Sequence, residues 1–471
     1  MVEFVKTCDR NVGQNLIIVE KLKVKLQRPL RVAHVGNIAN NAYLAAKSQR
    51  ELGLDSHCFS PDYTHVMGFP EWEECTFKRR SDLGAFQDFF PETDFKRPNW
   101  FHCGSWEDIR KHFEQSSGFP TSRDQIPLKM RALTVALFRF WKLFRPIGRR
   151  IIPYRHRSMV VNSLLIKLRK PGMVTALEVL KQFDIIHFYG PYNYMTQLID
   201  FSTPFLSTEH GTLRDYIFTE YEQARHSRSG YLRSEKVLIT NQDSLPAALR
   251  VGIDKSKIEF TPHPSNENGL LNLRRRRIHI DLISARVVVP ARQVIRSDID
   301  AGKGNYEIFS AIEICKRLDL KVKFQIPLWG DNVSESINYV RKLDIEDSIE
   351  WLPLLSRPML KLYIAEAVAV IDQLNVPAYG AIGADALAIG TPLLTHSGFE
   401  NDLLAFGEIA PIMHSSMSTD IVRHLDTLLL GKFDFQTHAI KSQLWYDKHL
   451  SNDISMNVAL NSYLSILDSR R

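Results

Sequence analysis

Two glycines and the start of a helix mark the first place where chemistry could occur. In YGAIGADALAIGTPL (379–393), Gly380 and Gly383 flank Ala381 in a turn that leads into a helical run. Glycine lets the backbone approach a ligand closely. A helix N-terminus presents free amides and partial positive charge, so a turn of this kind suits a phosphate or diphosphate. A second candidate is His210, which with Gly211 closes the strand-like TPFLSTEHG. An imidazole at a strand end can donate a hydrogen bond or a proton to a ligand, although a lone histidine is more often structural. A third is the turn in HVGNIANNAY, with Gly36, Asn40 and Asn41, where asparagines also serve turns for backbone reasons alone. Gly190 in FYGPYNY is a similar, weaker case.

The elements that must position these residues alternate in type. RVAHVGNIANNAYLAAKSQRELGLDSHCFS, from Arg31, reads strand, turn, helix, strand. The same grammar returns at DIIHFYG, TPFLSTEHG and KVLITNQ. Between Ser265 and Asp281 it dissolves into SNENGLLNLRRRRIHID, a polar stretch with a four-arginine run, and ARVVVPARQ then starts a fresh strand. FQIPLWG, IEWLPL, AVAVIDQL and GTPLLTH follow as strands, separated by helical segments. The expected fold class is α/β, with two Rossmann-like, doubly wound parallel-sheet domains facing a cleft. The first runs over 1–265 and the second over 283–437. Helices over 438–471 return to the first domain. Paired domains of this kind bring strand ends and helix N-termini around one ligand site.

At YGAIGADALAIGTPL the sequence resembles the retaining glycosyltransferases of the GT-B fold, the family 4 type. In that family a glycine-containing turn and an acidic residue precede A-x-A-x-G-x-P. The resemblance implies that Asp385 contacts the donor's ribose, a task a carboxylate suits because it accepts two charge-assisted hydrogen bonds. The family's further glutamate falls at Pro377, which has no side-chain acceptor, and Asp372 or Gln373 is placed to compensate. VPARQVIRSDIDAGKGNYEIFSAIE matches a second family feature, an arginine after the first strand of the C-terminal domain and a Lys-Gly pair downstream. This implies catalytic roles for Arg292 and Lys303, fixed cations that stabilise the departing diphosphate without a metal. His210 and Gly211 match the family's His-Gly pair facing the donor sugar, and the Gly36 loop matches its N-terminal loop. The resemblance spans roughly residues 31–430, and the stretch from about 67 to 169 matches no named motif.

Composition narrows the class. The chain has 471 residues, 23 glycines and 22 prolines, without a fixed-period repeat or low-complexity tract, which excludes solenoids and disordered chains. Its five cysteines are widely spaced with no CxxC pair, which fits a reducing cytoplasm and predicts no metal or redox cofactor. Charge interrupts the apolar runs of the first thirty residues, so neither a secretory h-region nor a membrane span fits there. Net charge is +7. Part of the excess lies in a helical insertion at about 125–170, where KMRALTVALFRFWKLFRPIGRRIIPYRHR mixes aromatic residues and cations without an acid. Such a segment suits an anionic bilayer, and so the inner face of the cell membrane, about 129–157, although a buried helix or a partner surface would read alike. No nucleic-acid recognition motif accompanies the charge. The partners expected are therefore a nucleotide-sugar donor and a glycan or lipid-linked acceptor. A non-catalytic binding protein or a sugar-nucleotide epimerase on the same fold are the competing readings.

Overall fold

The computed structural model describes residues 2–61, 66–76, 78–79, 94–118, 171–197, 203–277, 280, 282–294 and 302–470. The basic segment at 129–157 lies outside them.

The first half supplies β1 (Arg31–Val35), β2 (Asp55–Pro61), β3 (Lys78–Arg79), β4 (Phe101–Gly104), β5 (Ile185–Tyr189), β6 (Phe205–Glu209), β7 (Val237–Ile239) and β8 (Ile258–Phe260). All but β3 form one parallel sheet in the order β4-β2-β1-β5-β6-β7-β8. The second half supplies β9 (Arg286–Val288), β10 (Lys323–Pro327), β11 (Ile349–Leu352), β12 (Leu354–Leu355), β13 (Ala369–Ile371), β14 (Leu393–Thr395) and β15 (Met413–His414). Six of these form a second parallel sheet, ordered β11-β10-β9-β13-β14-β15. The central strands are apolar along their whole length because helices cover both faces: every residue of β5 and of β13 is buried.

In each sheet the chain winds outward from its first strand, then returns to that strand's other side. The order therefore reverses between β1 and β5, and again between β9 and β13. Such switch points leave a crevice at the carboxyl ends of the strands. Gly36 follows β1, Gly190 follows β5, Arg292 lies just beyond β9, and Asp372 directly follows β13. This is the GT-B arrangement, two Rossmann-like sheets around one cleft.

Three features tie the halves together. The helix Asn452–Asp468 returns to the first sheet, where Leu460, Tyr463 and Ile466 share a core with Val32, Ile185 and Leu206. The helix Val2–Leu26 joins that core through Ile18, Val19 and Leu22, a role nothing in its sequence announced. β3 pairs antiparallel with β12, so a strand from the first half crosses to the second. The polar stretch between the two halves contains the helix Leu270–Arg276. Within the four-arginine run, Arg274 makes two hydrogen bonds to Asp447, at 3.0 and 2.6 Å, and buried Arg277, just past the helix, donates to the Ala367 carbonyl.

Candidate functional site

A cavity of about 200 Å³ opens where the two switch points face each other. Its second-half wall carries Arg292 beyond β9, Lys303 before the helix Asn305–Arg317, Asp372 after β13, and Gly380 and Ala381 at the start of the helix Ala381–Ile389. Trp329, Leu354, Leu355 and Leu360 make that wall apolar toward one end. The first half contributes Ala39, Met67, Trp72 and Glu73.

Lys303 and Asp372 form the charged centre. Lys303 Nζ donates to Gln373 Oε1 at 2.5 Å, and Gln373 Nε2 donates to the Ala378 carbonyl at 2.5 Å, so the lysine is fixed through the strand-to-helix turn. Burial pushes the ammonium below the ordinary lysine value; Asp372 opposes this, while Arg292 and Arg214 reinforce it. Burial raises the Asp372 carboxyl, against Lys303 and the backbone amides of Gln373 and Gly383. Asp372 Oδ2 is buried without a hydrogen-bond partner. A buried polar atom left this way is costly unless a ligand completes it. Asp372 and Gln373, the two positions flagged beside Pro377, thus both take part in this centre.

The turn at Gly380 to Gly383 is built for close packing as well as access. A Cβ on Gly383 would lie 3.3 Å from Leu393 and 3.4 Å from Asp372 Oδ2, so this glycine faces the protein interior. Asp385 is 4% exposed and does not line the cavity. Its carboxylate accepts from Arg357 Nε at 2.5 Å and lies 3.5 Å from Lys361 Nζ. Arg357 Nη2 also donates to the Ala381 carbonyl at 2.8 Å. Burial lowers the affinity of Arg357 for its proton, yet Asp385 and Glu73 outweigh it and hold the guanidinium above its ordinary value. Burial raises the Glu73 carboxyl, with Arg357 and Lys361 pulling the other way. A four-residue charge cluster therefore spans the two halves at this end of the cleft.

On the opposite wall, polar groups serve one another. Asn40, at a left-handed φ of 56°, donates to the Phe69 carbonyl at 2.7 Å and accepts from Asn37 at 2.8 Å. Asn41 Oδ1 lies 3.0 Å from His263 Nδ1, and Asn41 Nδ2 donates to the Ile38 carbonyl. Gly36, at φ 93°, has the Tyr192 ring where a Cβ would be, 2.3 Å away. Neither asparagine nor Gly36 lines the cavity, whereas Ala39 between them does. His210 stacks between Tyr189 and His263, with ring centroids 5.6 Å from each. Burial and His263 hold its imidazole well below the ordinary histidine value, and its Nε2 is buried without a partner. Gly211 follows at φ 90°.

The structure thus brings Arg292, Lys303, Asp372, Gly380 and Ala381 together around one cavity. It sets His210 and Gly211 at the end of β6, and Asp385 behind Arg357. Sequence reasoning missed Arg357, Glu73, Arg214 and His263. Arg214 lies four residues after His210, just past the quoted TPFLSTEHG; the other three carry no motif. Among the described residues, no group of three or more His, Cys, Asp or Glu is arranged to hold a metal.

This architecture defines a two-domain α/β protein of the GT-B type. No family model matches the sequence, and no curated protein matches it significantly. The fold is similar to sucrose-phosphate synthase from Thermosynechococcus elongatus, at a TM-score of 0.55 and 12% identity over 94% of this chain and 100% of that one. It is similar to Anabaena HepE in complex with UDP-glucose, at 0.54 and 13%, covering 93% and 99%. A glycosyltransferase from Rickettsia africae matches at 0.50 and 12%, covering 93% and 99%. At these identities the likeness is one of fold.

Proposed function

We propose that the chain is a retaining glycosyltransferase of the family 4 type, which moves a sugar from a nucleotide-sugar donor to a glycan or lipid-linked acceptor in surface polysaccharide or glycolipid synthesis. The observation that carries this reading is the cavity wall on which Arg292, Lys303, Asp372 and the Gly380 turn converge. As the bond from sugar to diphosphate breaks, negative charge accumulates on the departing phosphate. Two fixed cations in a water-poor site stabilise that charge, and no metal step is needed. The unsatisfied Asp372 Oδ2 is suited to a sugar hydroxyl, and His210 Nε2 offers a second buried polar contact. The presence of UDP-glucose in the HepE complex supports a donor of this class. On this reading residues 1–265 face the acceptor, 283–437 hold the donor, and 438–471 tie the two together. Attachment to the inner face of the membrane through about 129–157 belongs to the same proposal, with flotation on anionic vesicles as its check. Among the described residues no helix is long and apolar enough to cross a membrane.

One observation favours a second reading. Asp385, the residue matched to ribose binding, is already engaged by Arg357 and Lys361, and Pro377 stands where the family has glutamate. A nucleotide-sugar-binding protein without turnover would tolerate both. Calorimetry with a panel of nucleoside diphosphates and their sugars, followed by NMR of donor consumption and product anomer, separates the two. Binding with turnover and retained configuration supports the enzyme. Binding without turnover across acceptors favours the second reading, and inverted product removes retention.

A further inference from the structure

Three glutamates share the short helix Pro70–Glu74, and two of them are paired within the first half. Glu71 Oε1 accepts from Arg97 Nε at 2.7 Å, and Glu74 Oε1 accepts from Lys47 Nζ at 2.6 Å and from Tyr43 Oη at 3.1 Å. The third, Glu73, is only 4% exposed and lines the cavity, yet among the described residues its carboxylate has no hydrogen-bond or ion-pair partner. Its place is fixed from both halves. Trp72 packs with Leu354 and Trp329 of the second half in a small apolar cluster, and Asn266 Nδ2 donates to the Glu73 carbonyl at 3.3 Å. The helix therefore rests against the helix Arg357–Glu366, and Glu73 reaches the cavity wall that Arg357, Gly380 and Ala381 form.

A buried carboxylate without a donor is costly, and neighbouring cations lessen that cost without supplying a hydrogen bond. Arg357 directs Nε to Asp385 and Nη2 to the Ala381 carbonyl, and Lys361 Nζ donates to the Asn266 carbonyl at 2.6 Å, so these nitrogens serve other acceptors. Asp372 Oδ2, on the same cavity, is also without a donor. Each half thus presents one acceptor to the cavity. An ionised diphosphate brings acceptors only, whereas hydroxyl groups complete both carboxylates. A vicinal pair of hydroxyls suits a carboxylate best, because its two oxygens accept two charge-assisted hydrogen bonds. Asp385 is closed to that task by Arg357, and Pro377 has no acceptor to offer. We propose that Glu73 is the first domain's contact to the donor, its carboxylate accepting hydrogen bonds from a vicinal pair of the donor's hydroxyls. The inference rests on the reading of the cleft as a nucleotide-sugar site. The hydroxyls belong either to the ribose or to the transferred sugar. Because Glu73 and the Gly380 turn come from opposite halves, a donor held this way bridges them.

The test compares wild type, Glu73→Gln and Glu73→Asp by calorimetry, with urea midpoints measured alongside. The probes are UDP, ADP and GDP, their dideoxyribose analogues and their glucose conjugates. Glutamine keeps the side-chain volume and removes the charge; aspartate keeps the charge and withdraws it by one methylene. If the ribose supplies the hydroxyls, Glu73→Gln weakens the nucleoside diphosphate by about 10- to 100-fold, the loss expected for hydrogen bonds to a charged group, and leaves the dideoxy analogue within about threefold of wild type. If the sugar supplies them, the nucleoside diphosphate binds Glu73→Gln as it binds wild type, and the glucose conjugate weakens by about the same factor. Glu73→Asp is expected between the two in either case, and it carries the test alone should the glutamine variant not fold. Unchanged affinity of both variants for the nucleoside diphosphate and its glucose conjugate overturns the assignment. So does equal weakening of all three probe types with a lowered urea midpoint, which marks Glu73 as a charge partner of Arg357 that holds the halves together. Wild type that binds no member of the series overturns the nucleotide-sugar reading itself, an outcome distinct from wild-type binding that both variants retain.

Discussion

The two walls of the cleft are built from the same kind of element, a parallel strand ending in a turn, yet they treat polar atoms in opposite ways. On the second-half wall, Lys303 and Asp372 are drawn into a buried centre whose Oδ2 has no protein partner. On the first-half wall, Asn37, Asn40 and Asn41 bond to carbonyls and to one another, and the cavity receives only Ala39 from that turn. Beneath it runs a layer of buried rings. His34 lies 2.9 Å from Tyr189 Oη, and His187 lies 2.9 Å from Tyr463 Oη of the returning helix. One wall keeps unmet electrostatic demand for a ligand, and the other satisfies its own so as to hold a shape. His210 Nε2 and Glu209 Oε2, both buried without a hydrogen-bond partner, are where the first wall departs from that rule.

The comparison breaks first at Lys303. Lys303→Met keeps most of the side-chain volume and removes the charge, and it leaves Asp372, already raised by burial, to take up a proton. Turnover of a nucleotide-sugar donor is expected to fall about 10²- to 10³-fold, the usual consequence of removing one preorganised group at a developing charge. The urea midpoint is expected to stay near that of wild type. A variant that unfolds while its residual folded fraction turns over normally would make Lys303 part of the scaffold.

The first wall is tested by acid. Burial pushes the imidazoles of His34 and His263 down to about 4, and those of His187 and His210 move in the same direction. In the unfolded chain a histidine takes its proton near 6.5, so between about 6.5 and 4 the unfolded state binds more protons than the folded one. Their stabilising effect is therefore complete above about pH 6.5 and is lost as pH falls toward 4. His34 and His263 each contribute on the order of 3 kcal/mol by this linkage. Urea midpoints at pH 7.5, 6 and 5 should decline steeply, and a flat series would show that these rings reach solvent in the folded protein.

Much of this organisation is legible in the sequence because it rests on local pattern. Continuous apolar runs such as IIHFY and AVAVI can only be strands covered on both faces, and their alternation with helical segments gives two doubly wound sheets. The Gly380 turn is legible from its residue types, and Arg292 and Lys303 are implied by the family resemblance, because both signals lie within short contiguous stretches. The remainder depends on distance in space. Nothing near Arg357 in the chain announces that it will meet Asp385 or face Glu73 from the other half. The helix Val2–Leu26 reads as a charged amphipathic run, and only the returning C-terminal helix gives its apolar side a partner. Asn40 and Asn41 were selected for their polarity in a turn beside a strand end. Which way a turn asparagine faces depends on the segment packed against it, here residues 66–69.

That last point carries the smallest and most discriminating test. Asn40→Gly relieves the left-handed φ of 56° and deletes two buried hydrogen bonds, one to the Phe69 carbonyl and one from Asn37. Asn37 Nδ2 still has the Gly68 carbonyl at 2.7 Å, so one donor keeps a partner while the Phe69 carbonyl loses its own. Net stability is expected to fall by about 1–2 kcal/mol, a typical effect for buried hydrogen bonds partly offset by backbone relief. Because no polar atom of Asn40 faces the cavity, nucleoside diphosphate affinity should change less than threefold. Affinity that collapses while the urea midpoint holds would place Asn40 against the ligand, and the two walls would then share the work of recognition.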